Sequence, residues 1–261
     1  MVSFLARYQN GEHQKVWEEL IALGSAVRDK QVLPDAVAVA KEMMQRVRHN
    51  IDIVIPRLEE LGYEFGYTWL EGEPDITEEW IATQPSRYAP PPFNIEKQLQ
   101  TFEELAGPLP LSIRAFYTEV GEVNFFGRHV RWEQLLKLRD KSKFPIPNLD
   151  PLAINGFKEE MFEDYVVWKE EMRGERENTA SYPLFVALDY ELKYNISGAG
   201  AYEIDIPNAS ADGLLLNEWH KTSFVDFLRI CLHYGGLPGL ESIELLIPEE
   251  LAFLRKDLLP F

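Results

Sequence analysis

An α+β architecture, in which a mostly antiparallel sheet is flanked by helices and preceded by a small N-terminal helical bundle, follows from three features of the sequence. Residues 1–66 repeat apolar side chains at helical spacing, residues 94–261 mix short alternating runs with helical stripes, and a proline-rich acidic linker segment at 67–93 separates the two. The composition agrees, because 46% hydrophobic and 12% aromatic residues suit a packed core and a disordered acidic chain lacks them.

The N-terminal region carries three stripes near the 3.6-residue period: Val16, Trp17, Leu20, Ile21 and Leu23; Val37, Ala40, Met44 and Val47; and Ile51, Val54, Ile55, Leu58 and Leu61. They predict three helices, with Pro34 in the first turn of the second and Gly24 and Gly62 at C-terminal caps. Pro56 falls inside the third stripe and predicts a kink near Asp52 or a later start. Five of the seventeen prolines lie between 67 and 93, and Ala89-Pro90-Pro91-Pro92 predicts an extended polyproline II spacer. Trp69 and Trp80 in the same stretch predict that it is draped over a domain rather than free.

Beyond the spacer, Asn94 is placed to cap a helix carrying Ile95, Leu99 and Phe102 and closed by Gly107; Leu109-Pro110 opens another, closed by Gly121. Val123 to Phe126, Leu152 to Ile154 and Leu184 to Leu188 are strand-like runs. Tyr202, Ile204 and Ile206 alternate with Glu203 and Asp205 as a half-buried strand does, and the turn 207–213 before Leu214 to Leu216 predicts a hairpin. Two amphipathic helices complete the set, one on Phe157, Met161, Phe162, Tyr165, Trp168 and Met172, the other on Phe224, Phe227, Leu228 and Cys231.

Charge narrows the function classes. With 26 basic against 43 acidic residues the formal charge is −17, so a surface that neutralises nucleic-acid phosphates is excluded. The nets are −2 over 1–66, −4 over 67–93 and −11 over 94–261. The lone Cys231 rules out an intramolecular disulfide and fits a reducing compartment. The first residues lack the apolar core of a signal peptide, and no run approaches about eighteen uncharged apolar residues. A cytoplasmic protein with no membrane span is therefore expected.

Catalytic and metal signals are absent from the spacing. His13, His49, His129, His220 and His233 form no ligand motif; His49 is expected at a joint between helices and His233 at a helix C-terminus, where an imidazolium is favoured. Cys231 falls on an apolar helical stripe. Gly198-Ala199-Gly200 reads as a turn, and Asp205, Asn208 and Asp212 do not keep the alternation of a calcium loop. No catalytic residue, metal or cofactor is expected. Glu203 and Asp205 stand on one strand face roughly 6.6 Å apart, an acid/base arrangement only if one is buried enough to raise its pKa. Tyr182, Asp189 and Glu191 add polar groups nearby. The 157–173 helix carries Glu159, Glu160, Glu163, Asp164, Glu170 and Glu171 against Lys158, Lys169 and Arg173. Such a face is either solvated or steers a basic protein toward its site.

The order of Phe102-Glu103-Glu104-Leu105-Ala106-Gly107-Pro108-Leu109-Pro110, Arg114-Ala115-Phe116-Tyr117, Gly121 and Asn124-Phe125-Phe126-Gly127 resembles the opening of the SUKH superfamily. Asp150-Pro151-Leu152, the strand at 184–188, and Trp219 followed by Ser223-Phe224-Val225-Asp226-Phe227-Leu228 are similar to its later elements, so the resemblance covers roughly 94–240. That superfamily groups fungal cell-wall regulators with bacterial immunity proteins. The resemblance implies a single α+β domain that binds rather than turns over: an immunity protein neutralising a basic toxin domain, without membrane contact. On this expectation the partner-binding residues are Glu159, Glu160, Glu163, Asp164, Asp189, Glu191, Glu203 and Asp205. A scaffold with two protein partners and a carboxylate-dependent hydrolase are the alternatives.

Overall fold

The chain opens with two short helices and a very long one. The structure, a computed structural model, describes residues 3–67, 77, 87–140, 143–144, 148–172, 181–189, 193 and 200–261. Helix α1 (Phe4–Gln9) is capped by the Ser3 hydroxyl, which accepts from the Ala6 N–H at 3.1 Å. Helix α2 (His13–Ala22) buries Val16, Trp17 and Leu20, and α3 spans Leu33–Glu60.

The second and third stripes thus belong to one 28-residue helix, not two. Pro56 lies inside it on the exposed side, so the Asp52 carbonyl that loses its usual donor faces water. The buried row Val47, Ile51, Val54 and Leu58 continues past it without a break. His49 is accordingly exposed in mid-helix rather than at a joint. No helix among the described residues is long and apolar enough to cross a membrane.

Strand β1 (Glu64–Phe65) and, beyond the proline-rich segment, β2 (Tyr88–Ala89) lead into α4 (Ile95–Ala106) and α5 (Leu111–Ala115), which continues as a wider turn over Phe116–Val120. Asn94 holds the cap position of α4, but its side chain makes no capping bond. Strands β3 (Glu122–Asn124) and β4 (Gly127–Arg128) divide the predicted 123–126 run. The Asn124 side chain accepts the Phe126 N–H at 2.9 Å and bends the chain between them. Next come α6 (Val130–Leu136), β5 (Ala153–Ile154), α7 (Glu160–Met172), β6 (Tyr182–Leu188), β7 (Ala201–Ile206), α8 (Phe224–His233) and α9 (Pro248–Arg255), the last preceded by a 3-10 run at Pro238–Leu246.

The main sheet is antiparallel throughout, in the order β2-β3-β5-β6-β7; β1 pairs with β4 in a separate ribbon. The α+β class and its mostly antiparallel sheet are therefore observed. Ala89, expected in a polyproline spacer, is instead an edge-strand residue opposite Glu122. Gly121 makes that approach possible: its φ is +97°, and a Cβ there would lie 2.4 Å from the Ala89 carbonyl oxygen. Trp69 and Trp80 lie outside the described residues. The predicted second arm of the 202–216 hairpin is reduced to bridges, Glu203 with Leu216 and Leu214 with Ser223.

Buried side chains from Tyr8 through Leu254 form one contiguous hydrophobic cluster, in which α3 packs against α5 and α8. The C-terminal tail closes over α3. Buried Asn50 donates from Nδ2 to the Leu259 carbonyl at 2.9 Å and accepts the Leu259 N–H on Oδ1 at 2.7 Å, as a strand neighbour would.

Candidate functional site

Helix α7 is held by aromatic contacts and turns its acids outward. Phe162 and Tyr165 meet Phe102 of α4 edge-on at ring distances of 5.4 and 6.1 Å, while Tyr165 and Trp168 meet Tyr182 of β6 at 5.2 and 5.3 Å. These contacts fix which side of the helix faces the protein. Glu159, Glu160, Glu163, Asp164, Glu170 and Glu171 are all exposed, together with Val166 and Val167. Glu159 and Glu163 also line a groove of about 400 Å³ between α4 and α7, with Phe162 and Lys97 on its other walls.

Strand β7 supplies the second acidic group. Tyr202, Ile204 and Ile206 point into the core, which forces Glu203 and Asp205 onto the opposite face. Glu203 is half-buried opposite Phe185, and Asp205 is exposed opposite Pro183. Burial, and then the Asp205 charge, raise the Glu203 pKa above the usual carboxylate range. The Tyr182 hydroxyl is pushed up to about 12, first by burial and then by the charges of Asp164 and Glu203. Tyr182 therefore senses the α7 and β7 acids together. Neither Glu203 nor Asp205 lines the groove between α4 and α7.

Of the two remaining expected site residues, Asp189 is described and Glu191 is not. Asp189, next to the end of β6, accepts the Gly200 N–H at 2.8 Å.

Three buried polar clusters were not foreseen from the sequence. Lys193 Nζ meets Asp150 Oδ1 at 2.5 Å, the side chains being 1% and 2% exposed. Burial raises the Asp150 pKa and the Lys193 charge opposes the rise, so the pair braces the fold where neither group can reach a substrate. His220 sits between two carboxylates, 2.6 Å from Glu218 and 2.9 Å from Glu241. Burial lowers its pKa, yet the two acids outweigh that and the net shift is upward. Asp212 is buried and accepts from the Ser112 hydroxyl, the Gly213 and Val225 N–H groups and the Trp17 indole. Only the tight Glu218-x-His220 spacing was a visible signal; the partners of Asp150 and Asp212 are far away in sequence.

His233 is the last residue of α8, but burial and Arg255 lower its pKa, so the expected dipole-stabilised imidazolium is not favoured. Cys231 is fully buried in the core, and burial pushes its thiol pKa up. Among the described residues no group of three or more His, Cys, Asp or Glu side chains is arranged to hold a metal ion. No family model, curated protein or solved structure matches the chain.

Proposed function

We propose that this chain is a non-catalytic binding protein that offers the α7 and β7 acidic face to a basic protein, and, in keeping with its resemblance to SUKH proteins, that it acts as an immunity protein occluding a toxin. One observation carries this reading. Several acids elsewhere in the fold are neutralised by neighbours, Glu12 and Glu19 by Arg7, Glu42 by Arg46, Glu96 and Glu103 by Arg114, and Glu250 by Arg131, while others such as Asp52, Glu60 and Glu104 stand without an ion pair among the described residues. Among the described residues, Glu159, Glu160, Glu163, Asp164, Glu170, Glu171 and Asp205 have no cation within ion-pair distance. Unpaired charge of one sign gathered on one face sets up a field that speeds association with an oppositely charged partner. Val166 and Val167, 43% and 55% exposed, add apolar area for a contact to desiccate.

The test is affinity capture with the full chain and with Glu159→Lys, Glu160→Lys, Glu163→Lys, carried out on native-host extract at low and high ionic strength. A basic polypeptide that is retained by the wild type at low salt, and lost by the variant or at high salt, is expected. Expressed alone it should poison the host, and co-expression of the wild-type chain should relieve this. Capture indifferent to salt and to the three substitutions removes the electrostatic reading, and a harmless partner removes the immunity role.

A further inference from the structure

A second charged feature, of opposite sign, lies where α2, α8, α9 and the C-terminal tail meet. A groove of about 520 Å³ is lined there by His13, Arg229, His233, Arg255 and Phe261 among others. Arg229 and His233 are four residues apart on α8 and so share a face. Behind the groove, Arg46 Nη1 donates to His13 Nε2 at 2.7 Å and the guanidinium lies 5.4 Å from the Tyr8 ring centre. Three guanidinium groups and two imidazoles thus converge in a chain whose net charge is −17.

The donors are not used up by the fold. Arg229 gives Nε to the Phe261 carbonyl and Nη1 to Asp226, each at 2.9 Å, while its Nη2 is buried with no partner among the described residues. Arg255 gives Nε to the His233 carbonyl at 2.7 Å and stacks on Tyr234, and its Nη2 is likewise buried and unpartnered. The Tyr8 hydroxyl, within the field of Arg46 and Arg229, is a third such donor. Buried donors left unpaired are rare in folded proteins, and a bound ion or water is one way in which they are satisfied.

The acids nearby only partly balance these cations. Glu42 pairs with Arg46 and Asp226 with Arg229, Glu241 and Glu244 act on His233 from its other side, and Arg255 has no carboxylate at ion-pair distance among the described residues. Burial first, and then the neighbouring guanidinium groups, lower the pKa of both His13 and His233, against the opposing pull of Glu42 on the one and of Glu241 and Glu244 on the other.

We propose that this groove binds the phosphoryl group of a small molecule, with Arg229 and Arg255 as its principal donors. A phosphate presents acceptors in several directions and matches the guanidinium fork in charge and geometry. The groove is larger than a phosphate alone, and the half-buried rings of Phe261 and His13 that line it give an organic substituent something to rest against. None of its residues belongs to the acidic face, so this inference stands apart from the immunity reading.

The experiment titrates the full chain with inorganic phosphate and with phenyl phosphate, against chloride at equal ionic strength, following the arginine Nε–H and backbone signals by NMR. Saturable shifts confined to Arg229, Arg255, His13 and the tail are expected, together with loss of about tenfold or more in affinity for each of Arg229→Gln and Arg255→Gln, the cost of one charged hydrogen bond. Tighter binding of phenyl phosphate identifies an organic phosphate as the occupant, and equal binding identifies free phosphate. The wild-type shift map alone decides the matter if Arg229→Gln fails to fold. Phosphate shifts no larger than those of chloride, or affinity unchanged in Arg255→Gln, overturn the proposal and assign the spare donors to water.

Discussion

Replacing Asp212 by alanine should be strongly destabilising. The carboxylate accepts four hydrogen bonds: the Ser112 hydroxyl at 2.7 Å, the Gly213 N–H at 3.0 Å, the Val225 N–H at 3.3 Å and the Trp17 indole N–H at 3.4 Å. Each donor is buried, and a buried donor left unpaired costs about 1–3 kcal/mol, the two longer bonds contributing less. Since such losses do not add fully, about 3–5 kcal/mol is expected, a large share of a typical total stability of about 5–15 kcal/mol. For a chain of this size that corresponds to a fall in Tm of about 10 °C. Asp212→Asn keeps one oxygen but sets an amide N–H₂ against two donors, so an intermediate loss is expected. Urea unfolding followed by both circular dichroism and tryptophan emission measures this, with an unchanged slope against urea. Burial raises the Asp212 pKa above 3.8 in the fold. Its contribution is therefore fully present below that pH and declines as pH rises through the folded value, a slope that Asp212→Asn should remove. An alanine variant within about 1 kcal/mol of wild type would refute the assignment of these bonds as the joint between α2, α5 and α8.

His220, whose pKa is raised by Glu218 and Glu241, stabilises the fold fully below its unfolded value of 6.5 and loses that contribution as pH climbs through the folded value. Wild-type stability should decline over that window while His220→Gln stays flat there, as read by chemical denaturation across pH, and an imidazole that titrates below 6.5 by NMR contradicts the arrangement. Asn50→Leu leaves the Leu259 N–H and carbonyl without the partner that α3 provides, so a loss of about 1–3 kcal/mol is expected, with faster amide exchange across 256–261 than across α8.

The regular elements were legible because they follow from local periodicity. The stripe on α8 and the alternation along β7 each state which side is buried, and the structure buries those sides. Pro56 was misread because the rule that prolines break helices carries no information about which side of the helix the lost bond faces; on the exposed side, water takes the freed carbonyl. Ala89 was misread for a related reason. Its triplet of prolines favours polyproline II, but an edge strand asks little of its outer N–H groups, and Gly121 lets Glu122 pair with it. The predicted hairpin was cut short because Asp212 captures the Gly213 N–H at the turn and because Leu214 pairs with Ser223 instead of with β7. Of the expected site, the acids of α7 and β7 were readable from alternation and helical spacing. Asp189 was not, since its bond to Gly200 depends on a loop closure that spacing does not encode.

Net charge alone does not distinguish a solvated surface from a binding surface, so the proposal leans on how the charges are grouped and paired. In this chain Arg7 of α1, Arg46 of α3 and Arg114 of α5 are committed to nearby acids, while the six acids of residues 159–171 have, among the described residues, Lys158 and Lys169 beside them and Lys97 across the α4–α7 groove. Lys158 is drawn away to Glu122 at 3.5 Å, and Lys169 lies over the Tyr165 ring at 5.3 Å. Lys158 and Lys169 are thus turned toward other groups, and none of the six carboxylates has an ion pair among the described residues. Reversing three of those carboxylates reverses the local field without touching a buried atom, so it separates steering from folding in a way that no core substitution can.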